Sequence, residues 1–332
     1  DSAIIIELAK SECNLEGGYT GLTPAELSMR TSAIAYEVGF DVWALHADHI
    51  GVKKGTVEEL TSVKQLIKAQ IDAGFTSFAI DASHLFNFDG RTTAEELAPN
   101  IDATIELARF IKSEMGDHEF GLEVEVGEIG RIGESGMVLT TPDEAVTFIR
   151  SLNEAGVYPQ VLAIANGSTH GNIFDEDGNP IEQVTIDIPR TKEVAKALRD
   201  NNLDVRIAQH GITGTPRHLI AEQFPHGDIV KGNVGTFWMN LVWSVLKEEQ
   251  PDLYQRIWDW TIANYSAEGK RDIEVFGKNS KFAIKEFFSE LYSLDDRVVS
   301  VIEDRAYKEA GEFMRAFKSE GSAEIVREYM RS

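Results

Sequence analysis

The stretch Val42-Trp43-Ala44-Leu45-His46-Ala47-Asp48-His49 decides the fold, because it joins an apolar, strand-like run to a cluster of polar side chains. Two further histidines follow similar short apolar runs, in Ser168-Thr169-His170-Gly171 and in Ala208-Gln209-His210-Gly211. Histidines at the ends of three separate strands meet only if the fold brings those ends together, which a barrel of parallel strands does. Three neutral imidazoles that meet in this way form a site for a divalent metal ion.

The rest of the chain alternates strand-like and helix-like patterns, which favours a single α/β domain. Seven strands are predicted: Ala3–Leu8, Val42–His46, Ser77–Ile80, Gly121–Val126, Val161–Ala165, Val205–Gln209 and Asp228–Lys231. The predicted fold class is therefore a TIM (β/α)8 barrel. Because a barrel needs eight strands and the chain starts at Asp1 directly before a strand-like run, we expect the first strand to be missing from this chain.

The C-terminal part of the sequence differs from the βα series that precedes it. After an apolar helix that starts at Phe237, the pattern is helical and charged in four segments: Leu253–Asn264, Ile284–Leu294, Val298–Phe317 and Ala323–Met330. We therefore expect a barrel domain over residues 1–249, and a helical extension packed on it over residues 250–332.

Composition excludes several classes of partner. The 332 residues carry 55 acidic and 32 basic side chains, a net charge of -23, which disfavours binding to nucleic acid or to an anionic membrane. No apolar run approaches the roughly 20 residues of a membrane span, and no signal peptide is recognisable. Cys13 is the only cysteine, so an intramolecular disulfide is excluded and a cytoplasmic protein is predicted.

His49, His170 and His210 are the predicted metal ligands. Neighbouring residues of an extended strand point to opposite faces, so only one of Asp48 and His49 can face the metal unless the chain turns there. In such a turn Asp48 reaches a substrate hydroxyl while His49 binds the metal. His46 is interpreted as a residue that packs inside the barrel, or as one that contacts the metal ligands without binding the metal itself.

Carboxylates at the ends of two other strands are further candidates. Glu123 and Glu125 alternate and so share one face of their strand, and Glu125, nearer the strand end, is the preferred neighbour of the metal. The alternative is a pair of solvent-facing glutamates on an edge strand. Asp81 either orients a ligand histidine, touches the substrate, or is a structural aspartate.

Two glycine-rich loops predict an anion site. Gly211-Ile212-Thr213-Gly214-Thr215 precedes a helix at Pro216, and Lys231-Gly232-Asn233-Val234-Gly235-Thr236 follows the last strand. Backbone N–H groups at helix N-termini bind anions, and the loops after strands seven and eight of a barrel are the usual phosphate site.

Together these motifs resemble the metal-dependent, class II fructose- and tagatose-bisphosphate aldolases. The resemblance runs from Ala3 to about Thr236. It is carried by Asp48-His49, Asp81-Ala82-Ser83, Glu123–Gly127, His170-Gly171, His210–Thr215 and Asn233–Thr236.

The resemblance implies a barrel in which His49, His170 and His210 hold Zn²⁺, with Glu125 able to approach the metal and to act in catalysis. It allows a monovalent cation in addition to the divalent ion. Asp48 would move the proton of the C4 hydroxyl, and the metal would act as a Lewis acid on the ketose carbonyl. The implied contacts to the phosphorylated sugar come from Gly171, Gly211, Thr213, Gly214, Thr215, Lys231, Asn233, Gly235, Thr236, Asp81 and Ser83.

Departures from the family pattern leave the sugar open. Ile212 and Thr213 replace a glycine and a serine, Gly235 replaces a polar residue, and Ala9 stands where a serine is frequent. Arg297 and Arg305 are the candidates for a contact to a second phosphate.

The segment Gly17–Ala25 resembles the accessory subunit of tagatose-bisphosphate aldolase. The preferred function is an aldehyde-lyase that cleaves fructose 1,6-bisphosphate to dihydroxyacetone phosphate and glyceraldehyde 3-phosphate. The alternatives are an aldolase or epimerase acting on tagatose bisphosphate or another sugar phosphate, and a non-catalytic accessory subunit. The family also implies a homodimer or a larger homo-oligomer.

Overall fold

A computed structural model describes residues 1–128, 132–133, 136–168, 173–175 and 180–332 of the chain. His170 and Gly171 lie outside these ranges. The strands are β1 Ile4–Ala9, β2 Trp43–Gly51, β3 Ser77–Asp81, β4 Gly121–Val126, β5 Ile132–Gly133, β6 Gly136–Met137, β7 Val161–Ile164, β8 Ile173–Phe174, β9 Pro180–Ile181, β10 Arg206–Gln209 and β11 Ile229–Gly232.

The helices follow the strands in the order expected for βα units. They are α1 Pro24–Val38, α2 Val57–Asp72, α3 Thr93–Met115, α4 Pro142–Glu154, α5 Ile188–Asp200, α6 Arg217–Gln223, α7 Thr236–Glu249, α8 Pro251–Tyr265, α9 Asp272–Asn279, α10 Ala283–Glu286, α11 Phe288–Leu291, α12 Asp296–Ala316 and α13 Ser322–Arg331. No helix in the described part of the chain is long and apolar enough to cross a membrane.

All seven predicted strands are present and form one parallel sheet in the order β1-β2-β3-β4-β7-β10-β11. Alternation along each strand divides its side chains between two faces. In β3, Phe78 and Ile80 are fully buried in the apolar cluster that includes residues of the flanking helices. Ser77 and Asp81 lie on the other face, where polar side chains of several strands meet.

The sheet curls so that the side chains of its two edge strands meet. Lys231 Nζ on β11 lies 2.8 Å from Glu7 Oε2 on β1. Among the described residues these two strands are not paired through their backbones, and the parallel sheet has seven strands. The architecture is thus a curled, seven-stranded half-barrel with surrounding helices, consistent with a TIM-like barrel.

Helix starts explain why the βα units repeat so regularly. Thr23, Thr56, Thr92 and Thr141 each precede a helix and accept a hydrogen bond from the backbone N–H three residues later. Such caps satisfy N–H groups that have no partner within the helix. They fix where the chain leaves each loop after a strand, and these loops surround the polar cluster.

The C-terminal helices form a second apolar cluster, which includes Trp243, Ile257, Phe276 and Val298. The prediction of one helix over Ile284–Leu294 was wrong: this region contains the short helices α10 and α11 after a 3₁₀ turn. The adjacent Phe287 and Phe288 pack against different partners, Trp260 and Tyr292. The break lies at Phe287, whose φ of -98° and ψ of 26° depart from helical values.

Candidate functional site

A local distortion of β2 brings two adjacent polar residues to the same place. The pairing of β2 with β3 shifts register between Ala47 and Ile50, and His49 has a φ of 38°. A non-glycine residue in this left-handed region costs roughly 1 kcal/mol. The distortion lets Asp48 and His49 both approach the same centre, the outcome that strand alternation allowed only if the chain turned.

His49 and His210 face each other across the open C-terminal end of the sheet. His49 Nε2 lies 2.8 Å from His210 Nδ1, and the ring centroids are 4.5 Å apart. A carboxylate oxygen of Asp48 completes a group whose ligand atoms all lie within 4.8 Å of one another. Imidazole nitrogens with a carboxylate suit Zn²⁺. The two described members of the predicted histidine set thus come together, and His170 stays a prediction.

The outer nitrogens of both histidines lie beside carboxylates. His49 Nδ1 is 3.2 Å from Glu125 Oε2 and 3.4 Å from Asp81 Oδ2, while His210 Nε2 is 3.1 Å from Glu123 Oε1. Carboxylates in this position orient histidine ligands and select their tautomer. Glu125 therefore contacts the outer nitrogen of His49, away from the nitrogen that faces His210. Both glutamates are buried, so the solvent-facing alternative was wrong.

Ser83 holds Asp81 in place through two hydrogen bonds. Its backbone N–H and its hydroxyl donate to Asp81 Oδ1, at 3.1 and 2.6 Å. The structure therefore places the predicted substrate contact Ser83 against Asp81. Asp81 in turn has its other oxygen towards His49.

Charged side chains are concentrated around His49. Burial opposes a charged imidazole, but Asp48, Asp81 and Glu125 outweigh it and raise the pKa of His49 to about 12. Burial also opposes the charged form of Asp81, yet its contacts with His49 lower the pKa of this carboxyl to about 2. A proton on His49 thus balances the surrounding carboxylates, and a metal ion bound to this ring would have to displace it.

Lys231 lies deeper in the lumen, among acidic groups. Its Nζ is 2.7 Å from Glu123 Oε2, 2.8 Å from Glu7 Oε2 and 3.7 Å from Asp48 Oδ1. Burial opposes the ammonium, but these carboxylates raise the pKa of Lys231 above its usual range. The structure thus places this predicted substrate contact as an internal counterion, and its contacts are with protein carboxylates.

His46 also lies in the lumen, where it is buried. Its Nδ1 is 2.7 Å from Ser77 Oγ, and its Nε2 is 3.2 Å from Lys231 Nζ. Burial and the nearby ammonium lower the pKa of His46 to about 4, so the ring is neutral. This environment matches the interpretation of His46 as a packing and supporting residue.

The two glycine-rich loops meet at the N-terminus of α7. Thr213 Oγ accepts a hydrogen bond from the backbone N–H of Phe237 at 3.3 Å, and Gly235 and Thr236 begin the helix. Asn233 Nδ2 donates to Asp48 Oδ1 at 3.1 Å, which connects this region to the cluster of Asp48, His49 and His210. The structure therefore brings these four predicted substrate contacts together.

The remaining loop residues take part in the same turn. Gly211 has a φ of 68°, a left-handed conformation that favours glycine. Thr215 is buried, and its N–H donates to Ile212 O at 2.8 Å. A Cβ at Gly214 would meet the side chain of Gln183 at 2.7 Å, so only glycine fits without displacing that side chain.

The predicted arginine contacts to a second phosphate face surface carboxylates. Arg297 Nη2 lies 2.6 Å from Glu249 Oε2, and the Arg305 guanidinium contacts both oxygens of Glu248. Both acceptors are at the C-terminal end of α7. Arg305 in addition lines a cavity together with Thr213 and Gly214 of the glycine-rich loop.

The sequence analysis missed Glu7, and it did not predict that Glu123 contacts Lys231 and His210. Glu7 follows Ile4-Ile5-Ile6, so a charged residue within an apolar strand was the available signal. Glu123 was noted only as the companion of Glu125. Which of the two faces a given histidine depends on where the ring of His210 lies, and a strand pattern does not contain that information.

We expect Lys231→Met to lower the free energy of unfolding by about 3–5 kcal/mol, the usual cost of breaking a buried ion pair by removing one partner. The substitution leaves the buried Glu123 and the half-buried Glu7 without their counterion. Urea denaturation in the presence of EDTA measures this loss in the free energy of unfolding without a contribution from metal binding. The matched control is Lys196→Met, which removes an exposed ion pair with Asp200 and should change stability far less. Equal losses in both variants would contradict the assignment.

Comparison with known proteins points to one family. The sequence profile of the family described as "Fructose-bisphosphate aldolase class-II" matches residues 1–322. The D-tagatose-1,6-bisphosphate aldolase subunit GatZ of Escherichia coli O1:K1 / APEC is 29% identical over 217 residues, which cover 58% of this chain and 51% of that protein. The chain thus spans about half the length of the curated relatives it matches.

Solved structures share the fold at low sequence identity. A probable tagatose 6 phosphate kinase from Sinorhizobium meliloti 1021 has a TM-score of 0.60 and 18% identity, with 99% of this chain and 92% of that chain covered. The fructose-bisphosphate aldolase of Campylobacter jejuni has a TM-score of 0.57 and 15% identity, with 95% and 83% covered. The fructuronate-tagaturonate epimerase UxaE of Cohnella laeviribosi has a TM-score of 0.61 and 12% identity, with 95% and 76% covered.

Proposed function

The chain belongs to the class II fructose-bisphosphate aldolase family, and from this premise we propose that it catalyses the metal-dependent cleavage of a ketose bisphosphate. The proposed first substrate is fructose 1,6-bisphosphate, cleaved to dihydroxyacetone phosphate and glyceraldehyde 3-phosphate, and the second is tagatose 1,6-bisphosphate. The observation that carries the proposal is the convergence of His49, His210 and Asp48, with a carboxylate behind each histidine.

The donor set fits a divalent ion. His49 Nε2 and His210 Nδ1 would hold Zn²⁺, with His170 as the proposed third ligand and Glu125 as a residue able to approach it. When bound, the ion would supply Lewis-acid polarisation of the ketose carbonyl. Asp81, Glu123 and Glu125 would hold the two described imidazoles in position.

Asp48 is the proposed general base for cleavage. Burial opposes its charged form, but His49, Lys231 and His210 outweigh burial and hold the pKa of Asp48 below its usual range. Its carboxylate is therefore ionised and can accept the proton of the C4 hydroxyl. As that proton leaves, the C3–C4 bond breaks, C4 becomes an aldehyde, and the electron pair of the bond passes to the ketose fragment.

The loops at the start of α7 are the proposed site for the phosphate of the dihydroxyacetone phosphate half. Thr213 and Asn233 lie there, and Thr236 is the first residue of a 14-residue helix whose N-terminus has no side-chain cap. The backbone N–H groups of such a terminus favour an anion. They would offset the strongly acidic charge of the rest of the chain. The proposed contacts from Gly171, Gly214 and Thr215 belong to the same substrate half.

The test is an assay for triose phosphate release from fructose 1,6-bisphosphate and, in parallel, from tagatose 1,6-bisphosphate. We expect cleavage that EDTA abolishes and that added Zn²⁺ restores. Zinc-loaded protein that cleaves neither sugar would contradict the proposed reaction, and the same protein would then be tested on other sugar phosphates for aldol cleavage or epimerisation.

A second candidate is a subunit that acts together with a catalytic partner chain. It is favoured by the name of the Escherichia coli relative, which is a subunit of D-tagatose-1,6-bisphosphate aldolase. In this case the isolated chain would bind less than one equivalent of zinc and would leave both sugars uncleaved. Zinc content and the cleavage assay on the same sample therefore separate the two candidates.

A further inference from the structure

Among the residues that the structure describes, the outer nitrogen of His210 has one hydrogen-bond partner in the lumen. His210 Nε2 lies 3.1 Å from Glu123 Oε1, and both side chains are buried. A neutral imidazole carries one proton, so a ring that donates from Nε2 has its lone pair on Nδ1. His210 Nδ1 is the nitrogen that faces His49 at 2.8 Å. The proton on the outer nitrogen therefore decides whether the inner nitrogen can bind a metal.

Glu123 is itself held at its other oxygen. Its Oε2 lies 2.7 Å from Lys231 Nζ, and only 8% of the Lys231 side chain is exposed. An ammonium group only donates hydrogen bonds, so both of its close contacts, to Glu123 and Glu7, require acceptors. A carboxylate is the one side-chain group that can accept at both oxygens. Glu123 thus faces two donors, one on each side.

We propose that Glu123 is a positioning residue that fixes the tautomer of His210, with Lys231 holding the carboxylate in place. The inference rests on the proposed zinc-dependent function. It assigns Glu123 a task different from that of Glu125, although the two share one face of β4, because each contacts a different histidine.

The isosteric variant Glu123→Gln tests the proposal directly. Its amide has one oxygen and one NH₂ group, and the oxygen must face the ammonium of Lys231, which cannot accept. The NH₂ group then faces the Nε2–H of His210, donor against donor, so the tautomer that leaves Nδ1 free to bind a metal loses its stabilising partner. We expect zinc affinity to fall about 10–100-fold, the usual loss when such a partner is removed.

Zinc affinity is measured on the purified chain by competition with a chromophoric chelator. The matched control is Ser77→Ala, which removes a 2.7 Å contact to His46, another buried histidine of the lumen. The control should keep its zinc affinity within about 2-fold. In ¹⁵N NMR spectra, the His210 ring of the wild type should carry its proton on Nε2, and Glu123→Gln should lower the fraction of this tautomer.

Three results would overturn the proposal: unchanged zinc affinity in Glu123→Gln, equal losses in Glu123→Gln and Ser77→Ala, or an unchanged His210 tautomer. If Glu123→Gln does not fold, Glu123→Asp decides, because it keeps the charge but is too short to reach both donors and should also weaken zinc binding. A wild-type chain without tight zinc binding overturns this inference together with the proposed function. Zinc binding that depends on Glu123 without sugar cleavage would overturn only the proposed reaction.

Discussion

His210→Ala is expected to abolish zinc binding and sugar cleavage together. His210 Nδ1 is one of the ligand atoms that converge with those of His49 and Asp48, and the ring is buried, so water cannot replace it in the same position without rearrangement. Loss of a ligand should exceed the roughly 100-fold upper range for loss of an outer partner. Zinc content after dialysis and the rate of triose phosphate release, measured on the same preparation, report the two effects.

The matched control for this prediction is His226→Ala. His226 is an exposed histidine whose ring contacts the backbone carbonyl of Ala221, and it should keep both its zinc and its rate. Excess zinc should not restore the His210→Ala rate at concentrations that saturate the wild type. Full activity of His210→Ala without bound metal would refute the ligand assignment and with it the proposed metal centre.

The parallel sheet could be predicted because its strands carry a local signal. Strands buried on both faces read as short apolar runs, and Val161–Ala165 is a clear example. Polar residues that interrupt such runs, as Glu123 and Glu125 do, then indicate the face that is turned to the lumen. The order of the strands follows from the βα connections, and so the meeting of His49 and His210 could also be anticipated.

The contacts inside the lumen could not be predicted from the same patterns. The left-handed φ of His49 has no signal in residue type, because histidine is not a residue that requires it. The role of Lys231 depends on three acidic groups from strands that are distant in sequence. A lysine next to a glycine-rich loop was therefore interpreted as a substrate contact, while its position within β11 turns it into the lumen.

Among the C-terminal helices, the sequence pattern predicted one helix correctly and another incorrectly. Helical periodicity over Val298–Phe317 was sufficient, because one face of α12 packs on the rest of the chain through Val298, Phe313 and Ala316. Between Ile284 and Leu294 the apolar residues pack in several directions, and a periodic pattern cannot show which contacts end a helix.

Asp48→Asn is expected to keep the metal and to lower the rate of cleavage about 10²–10⁴-fold, the usual contribution of a positioned acid or base. The amide is close to isosteric with the carboxylate, and its oxygen can still accept the hydrogen bond from Asn233, so the site should keep its shape. It cannot take up the proton of the C4 hydroxyl. The measurement is kcat and KM on the cleaved sugar, with zinc content determined on the same sample, and the loss should fall mainly on kcat.

Asp41→Asn is the matched control, since Asp41 is an exposed aspartate paired with Arg327 and should leave the rate unchanged. If Asp48→Asn loses its zinc along with its rate, Asp48 acts chiefly as a ligand, a role its carboxylate oxygen is close enough to take. If it keeps both zinc and rate, the base must be another group, and Glu125 beside His49 is the next residue to replace. The pattern of zinc retained and rate lost is thus the one result that identifies Asp48 as the group that takes the proton.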